Sequence, residues 1–142
     1  MFQSSKTLGL AFYILLGVSV LQGNLAMAQP LTSGNVTEAN MVADQYMQAL
    51  IMGDTEIVRS LLVDDELARK SSMLSNPAYS GFLQRLYSNA RFQILNTGLS
   101  GDDKVIVDVL VTYASHETVK FRLWFRNAKN SGMRIFSESK LP

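Results

Sequence analysis

Apolar residues recur at helical spacing as far as Tyr87 and at alternating positions from Arg91 onward, which predicts helices first and strands afterwards. Asn35 stands as a cap with Glu38 three residues on, and Val36, Ala39, Ala43, Tyr46 and Leu50 follow along one helix face. Gly53 stops that helix in a left-handed turn. Asp54 then caps a second helix whose Ile57, Val58, Leu61 and Leu62 form one apolar stripe. Asp64, Asp65 and Glu66 suit the first turn of a third helix running toward Leu74. Asn76-Pro77 opens a fourth, with Phe82, Leu83, Leu86 and Tyr87 as its buried face.

Alternating segments follow at Arg91–Asn96, Lys104–Tyr113, Val119–Arg126 and Met133–Glu138, and their short connections predict an antiparallel meander. Val105, Val107, Val109 and Val111 share one face, as do Val119, Phe121, Leu123 and Phe125 in the next strand. Pairing Val111 with Phe121 or Leu123 keeps these residues together under the helices, whereas a one-residue slip sets valines against Lys and Arg. The expected fold class is therefore α+β, with N-terminal helices packed on one face of a four-stranded antiparallel sheet.

The opposite face gathers Ile106, Asp108, Leu110 and Thr112 with Lys120, Arg122, Trp124 and Arg126, joined by Arg134, Phe136 and Glu138. These spacings bring Asp108 near Trp124 or Arg126, and an exposed Trp124 near Arg134 or Phe136. A solvated sheet face is rich in Thr, Ser, Lys and Glu. Aromatic and aliphatic residues among arginines have instead the composition of a partner-binding surface, with Asp108, Arg122, Trp124, Arg126, Arg134 and Phe136 at its centre. The competing reading is that stacked arginines and an ion pair only shield an outer face, or that the leader covers it.

The N-terminus sets the compartment. Lys6 is the only charge ahead of the apolar run Thr7–Leu21, and Ala26-Met27-Ala28 offers a small-x-small site, so residues 1–28 are expected to be a signal peptide cut after Ala28. An uncleaved anchor is the alternative, and it is the only membrane contact the sequence suggests. Residues 29–34 read as a flexible leader and 35–142 as a single domain, long enough for one core and too short for two. Loss of Lys6 with the peptide brings the whole chain's 13 basic and 12 acidic residues into even balance, which argues against nucleic acid or any general polyanion as partner. The absence of cysteine excludes thiol chemistry, disulfides and lipoprotein attachment, and a bacterial periplasm is the expected location.

His116, the only histidine, falls in an expected turn beside Glu117. The sequence lacks a nucleophile elbow, a glycine-rich phosphate loop and a histidine pair at ligand spacing, so no catalytic residue, cofactor or metal site is expected. The consecutive carboxylates at Asp64–Glu66 lack the alternating spacing of a calcium loop and cap a helix instead. A carboxylate and a tyrosine in a pocket remain for acid–base chemistry, with Asp44, Asp108, Tyr46, Tyr79 and Tyr87 available. Asp44 is expected on a solvated flank, and the three tyrosines are the candidate lining of any pocket.

The stretch "VADQYMQALIMGDTEIVRSLL" resembles the nuclear transport factor 2-like superfamily, where a first helix ends in Ala-x-x-x-Gly-Asp before a helix with paired aliphatics. Ala49–Asp54 with Ile57, Leu61 and Leu62 carry the match. The resemblance implies a cone-shaped α+β fold with a curved sheet, in a superfamily that includes isomerases, dehydratases, ligand-binding domains and periplasmic secretion-system domains. No acid–base motif transfers to this chain residue by residue. The segment "LARKSSMLSNPAYS" lacks the strand character of a hairpin many members insert there, which implies a shallow pocket. Exported proteins of this kind resemble non-enzymatic accessory proteins, so the expected partner is another protein or a second copy, as a homodimer, at the Trp124 face. The alternative is a carrier of a small apolar ligand, or a degenerate isomerase- or dehydratase-like enzyme, using the space between helices and sheet.

Overall fold

The computed structural model describes residues 30–101 and 103–142. The expected signal peptide with its cut after Ala28, and Gln29 of the leader, lie outside the described residues. Helices α1 (Ser33–Met52), α2 (Thr55–Leu61), α3 (Asp64–Leu74) and α4 (Pro77–Leu86) precede strands β1 (Arg91–Leu99), β2 (Val105–Thr112), β3 (Thr118–Ala128) and β4 (Gly132–Lys140). The strands pair antiparallel in the order β1-β2-β3-β4, a curved and unclosed sheet that gives the expected α+β class. α1 lies across all of them. Its fully buried Ala39 and Ala43 let the backbone approach the sheet, and Val42, Tyr46, Met47 and Leu50 fill the space alongside.

α1 starts earlier than expected. Thr32 is the cap, and its backbone N–H donates to Asn35 Oδ1 at 2.8 Å, so Asn35 closes the first turn from inside the helix. Leu31 packs against the core, and Ser33 and Gly34 are helical, so most of the expected flexible leader belongs to the domain. Glu38 is not a capping partner either: its carboxylate accepts the Met133 N–H at 3.0 Å and anchors the start of β4.

The end of α1 forms as expected. Gly53 adopts φ 69° and ψ 26°. The Asp54 N–H donates to the Ala49 carbonyl at 2.8 Å and the Gly53 N–H to that of Leu50 at 3.2 Å, the paired bonds of a left-handed helix terminus. Ser80 Oγ donates to the Gly53 carbonyl at 2.7 Å, so α4 closes over this turn. Asp54 Oδ1 accepts the Ile57 N–H at 3.0 Å and caps α2. α4 itself buries less than expected, because Tyr79, Leu83 and the following Tyr87 meet the core while Phe82 and Leu86 face water.

The β2–β3 register is odd with odd, as the apolar pattern requires, but tighter than either expected pairing. Val111 stands opposite Val119, Val109 opposite Phe121 and Val107 opposite Leu123. The hairpin closes early because a tight turn is sealed by the His116 N–H on the Tyr113 carbonyl at 2.9 Å, and the left-handed φ of 68° at His116 then brings the Glu117 carbonyl back to the Tyr113 N–H, also at 2.9 Å. Two bulges interrupt the outer ladders, at Leu95 in β1 and at Phe136 in β4. A bulge adds a residue to one strand and bends it, which curves the sheet. It also inverts the inside–outside alternation beyond it.

Candidate interaction surface

On the face away from α1, β3 presents Lys120, Arg122, Trp124 and Arg126 at alternate positions, and Ile106, Asp108 and Leu110 of β2 lie directly across from Trp124, Arg122 and Lys120. Asp108 therefore meets Arg122 rather than Trp124 or Arg126. The pair is bidentate, with Arg122 Nε 2.7 Å from Oδ1 and Nη2 2.8 Å from Oδ2. These hydrogen bonds hold the Asp108 carboxyl below the usual carboxylate range, against the burial that pushes it up. The same guanidinium sits 5.9 Å from the Trp124 ring centroid, and that of Arg126 sits 5.2 Å from the Phe136 ring. Arg126 also pairs with Asp64 at the start of α3.

Arg134 stands opposite Arg126, and its Nε donates to the Ser60 carbonyl at 3.1 Å and its Nη1 to the Met133 carbonyl at 2.8 Å. Ser137, not Arg134 or Phe136, stands directly across from Trp124. Trp124 and Phe136 are half-buried rather than exposed, because arginine side chains and Ile106 close around them. The six residues expected at the centre of this surface do share it.

Glu138 does not. The Phe136 bulge places it opposite Leu123, beneath the helices. There its Oε2 accepts the Tyr46 hydroxyl at 2.8 Å and Lys70 Nζ at 3.1 Å, while Lys70 also donates to the Tyr46 oxygen at 2.7 Å. Lys70 continues to Glu66 Oε1 at 3.2 Å, and Glu66 to Arg69 at 2.6 Å. Glu66, 3% exposed, stands in the first turn of α3 as expected and also joins this ion network. Burial first, and then the Glu138 charge, push the Tyr46 phenol well above its ordinary value, so it stays protonated. Among the described residues no buried side-chain nitrogen or oxygen lacks a partner, and no cluster has the makings of a metal site.

The three tyrosines expected to line a pocket do not converge. Tyr46 and Tyr87 border a void of about 10 Å³ shared with Met47, Leu50, Phe121, Leu123 and Glu138, room for one water at most. Tyr87 lies 5.8 Å from Tyr113, and burial raises its phenol as well. Tyr79 sits apart on α4, stacked on Phe82 at 5.8 Å. Asp44 is exposed, as expected, and so is His116 in its turn. A larger depression, about 580 Å³, lies outside this void at the hairpin end, floored by Leu86, Tyr113, Val119 and Phe121 and edged by Arg85 and Lys140.

Two solved structures share this fold. One is a proposed NTF2-like transpeptidase of Campylobacter jejuni, 14% identical, with a TM-score of 0.50 over 70% of this chain and 97% of its own. The other is a nuclear transport factor 2-like superfamily protein of Salmonella enterica serovar Typhimurium, 11% identical, with a TM-score of 0.54 over 78% of this chain and 92% of its own. This chain has the nuclear transport factor 2-like fold. No family model and no curated protein matches its sequence, so the comparison reaches the fold and stops there.

Within this nuclear transport factor 2-like chain, the space between helices and sheet is filled by Tyr46, Tyr87 and the Glu138–Lys70 pair. Sequence reasoning named Tyr46 but missed Lys70, Glu66 and the inward turn of Glu138. One available signal was Lys70 four residues after Glu66, a spacing that brings the two side chains together on a helix.

Proposed function

We propose that the chain is an exported, non-enzymatic interaction module that self-associates or docks on an envelope or secretion-system partner through its open sheet face. The observation that carries this reading is the concentration of the only Trp, Phe136, Ile106 and Leu110 among four basic residues on a sheet face that no helix covers among the described residues. Aromatic anchors edged by arginine are what protein interfaces concentrate at their centres. The interior argues in the same direction, since a void of about 10 Å³ holds no substrate and the buried Tyr–Glu–Lys group is fully engaged with itself. The transpeptidase named among the structural neighbours gives no residue to carry over at 14% identity.

A second reading keeps one observation in its favour: the depression of about 580 Å³ at the hairpin end falls within the usual range of small-ligand sites. A carrier function would use that outer groove, with Phe121 as its floor, rather than the interior. Site-directed photo-crosslinking in the exporting cell separates the readings. A photoreactive residue at Leu110, on the sheet face, is expected to yield a discrete protein adduct that disappears when Trp124→Ala is added. An adduct only from Leu86, in the groove, contradicts the interface assignment.

A further inference from the structure

We infer that the occupant of this face is an acidic, extended segment of a different protein, not a second copy of this chain. The inference rests on the interface reading above and narrows it. The bulge at Phe136 removes Glu138 from the face, where Arg122 is paired with Asp108 and Arg126 with Asp64 of α3, and the basic excess that remains is Lys120 and Arg134. Asp108 is 8% exposed and held on both oxygens by Arg122, so its charge is already compensated. Among the described residues Lys120 and Arg134 form no ion pair, and the carbonyls that hold Arg134 leave its charge in place.

A two-fold dimer on this face sets a net basic surface against its own image, and like charges brought together across an interface oppose association. An acidic chain meets the opposite sign. The spacing also fits a strand-like partner: basic and aromatic side chains project from β3 at every second residue, about 6.6 Å apart, the same repeat an extended peptide presents. Trp124 stands mid-stripe as the apolar anchor, and a net charge of only +1 over the whole chain confines the attraction to this face.

Trp124 is the only tryptophan, so its emission reports on this surface alone. The probes are a synthetic peptide of about twelve residues alternating Phe with Asp and Glu, and its counterpart with Lys at each acidic position. The acidic peptide is expected to change Trp124 emission saturably, with a dissociation constant that rises on the order of tenfold from low to moderate salt. The lysine peptide should do nothing. The double variant Lys120→Glu with Arg134→Glu should lose the response while keeping its circular dichroism and denaturation midpoint. An emission change driven by protein concentration alone, matching a sedimenting dimer that Trp124→Ala abolishes, overturns the inference and leaves the interface reading standing. A response to phosphatidylglycerol vesicles without one to the acidic peptide also overturns it, in favour of a membrane surface. Silence toward peptide, concentration and vesicles together sinks both the inference and the interface reading.

Discussion

Gly53 answers to two constraints at once, its positive φ and the closeness of α4. A Cβ built there lies 2.6 Å from the Ser80 carbonyl oxygen and 2.8 Å from Gln84 Cγ, so relief of one clash does not relieve the other. Gly53→Ala is expected to cost about 2 kcal/mol or more, beyond the roughly 1 kcal/mol of backbone strain alone, as read from urea denaturation. An unchanged midpoint would mean that the helices yield. The turn was legible in "MGD" because a left-handed helix end is a local demand that glycine alone meets cheaply; the α4 contact, 27 residues on, was not. Asp108 makes the other prediction of this kind. Its carboxyl is held below its unfolded value, so its contribution to stability is complete above about pH 4, where the unfolded group ionises, and is lost as pH falls through the lower folded value. Asp108→Asn should flatten that acid limb in denaturation midpoints measured toward pH 2. An identical acid slope in the variant would show that Arg122 does not govern it.

β4 shows what an element's pattern conceals. Its alternation from Met133 to Glu138 reads smoothly in the sequence, and nothing local marks Phe136 as an extra residue. The bulge is decided by distant partners: Tyr46 and Lys70, separated from Glu138 by 92 and 68 residues, draw that carboxylate inward. Glu138→Leu removes that carboxylate, which leaves the Tyr46 hydroxyl without its acceptor and Lys70 with Glu66 as its one carboxylate. The expected loss is at least about 3 kcal/mol, the scale for removing one partner of a buried ion pair, measured by chemical denaturation. A Glu138→Leu variant as stable as the parent would mean that the ion network does not hold β4 in this register. By contrast, the strands themselves and the odd-with-odd register of β2 and β3 were legible, since a slip exposes a whole row of valines. The tighter hairpin was not, because it depends on a left-handed backbone at a histidine rather than at a glycine.

In the whole molecule, the inner face is spent on packing, and the outer face carries half-buried Trp124 and Phe136 among basic side chains. Phe125, Leu123, Met133 and Ile135 are all essentially buried under α1 and its neighbours, and the void of about 10 Å³ beside Leu123 has room for one water at most. The composition of the outer face was readable because period-two patterning separates the faces of a sheet. Its internal pairing was not, since Asp108 with Arg122, and Glu138 beneath the helices, follow from exact register. The central claim is that one face holds the fold and the other holds the partner. The measurement that tests it most directly compares Trp124→Ala with Phe125→Ala, adjacent on β3 and opposite in facing, by sedimentation equilibrium with and without the acidic peptide and by urea denaturation. Trp124→Ala should weaken association by about 2 kcal/mol and barely move the midpoint, while Phe125→Ala should cost the fold about 4 kcal/mol. If Trp124→Ala destabilises the fold as much as Phe125→Ala and leaves association unchanged, Trp124 is core and the outer face is not the functional surface.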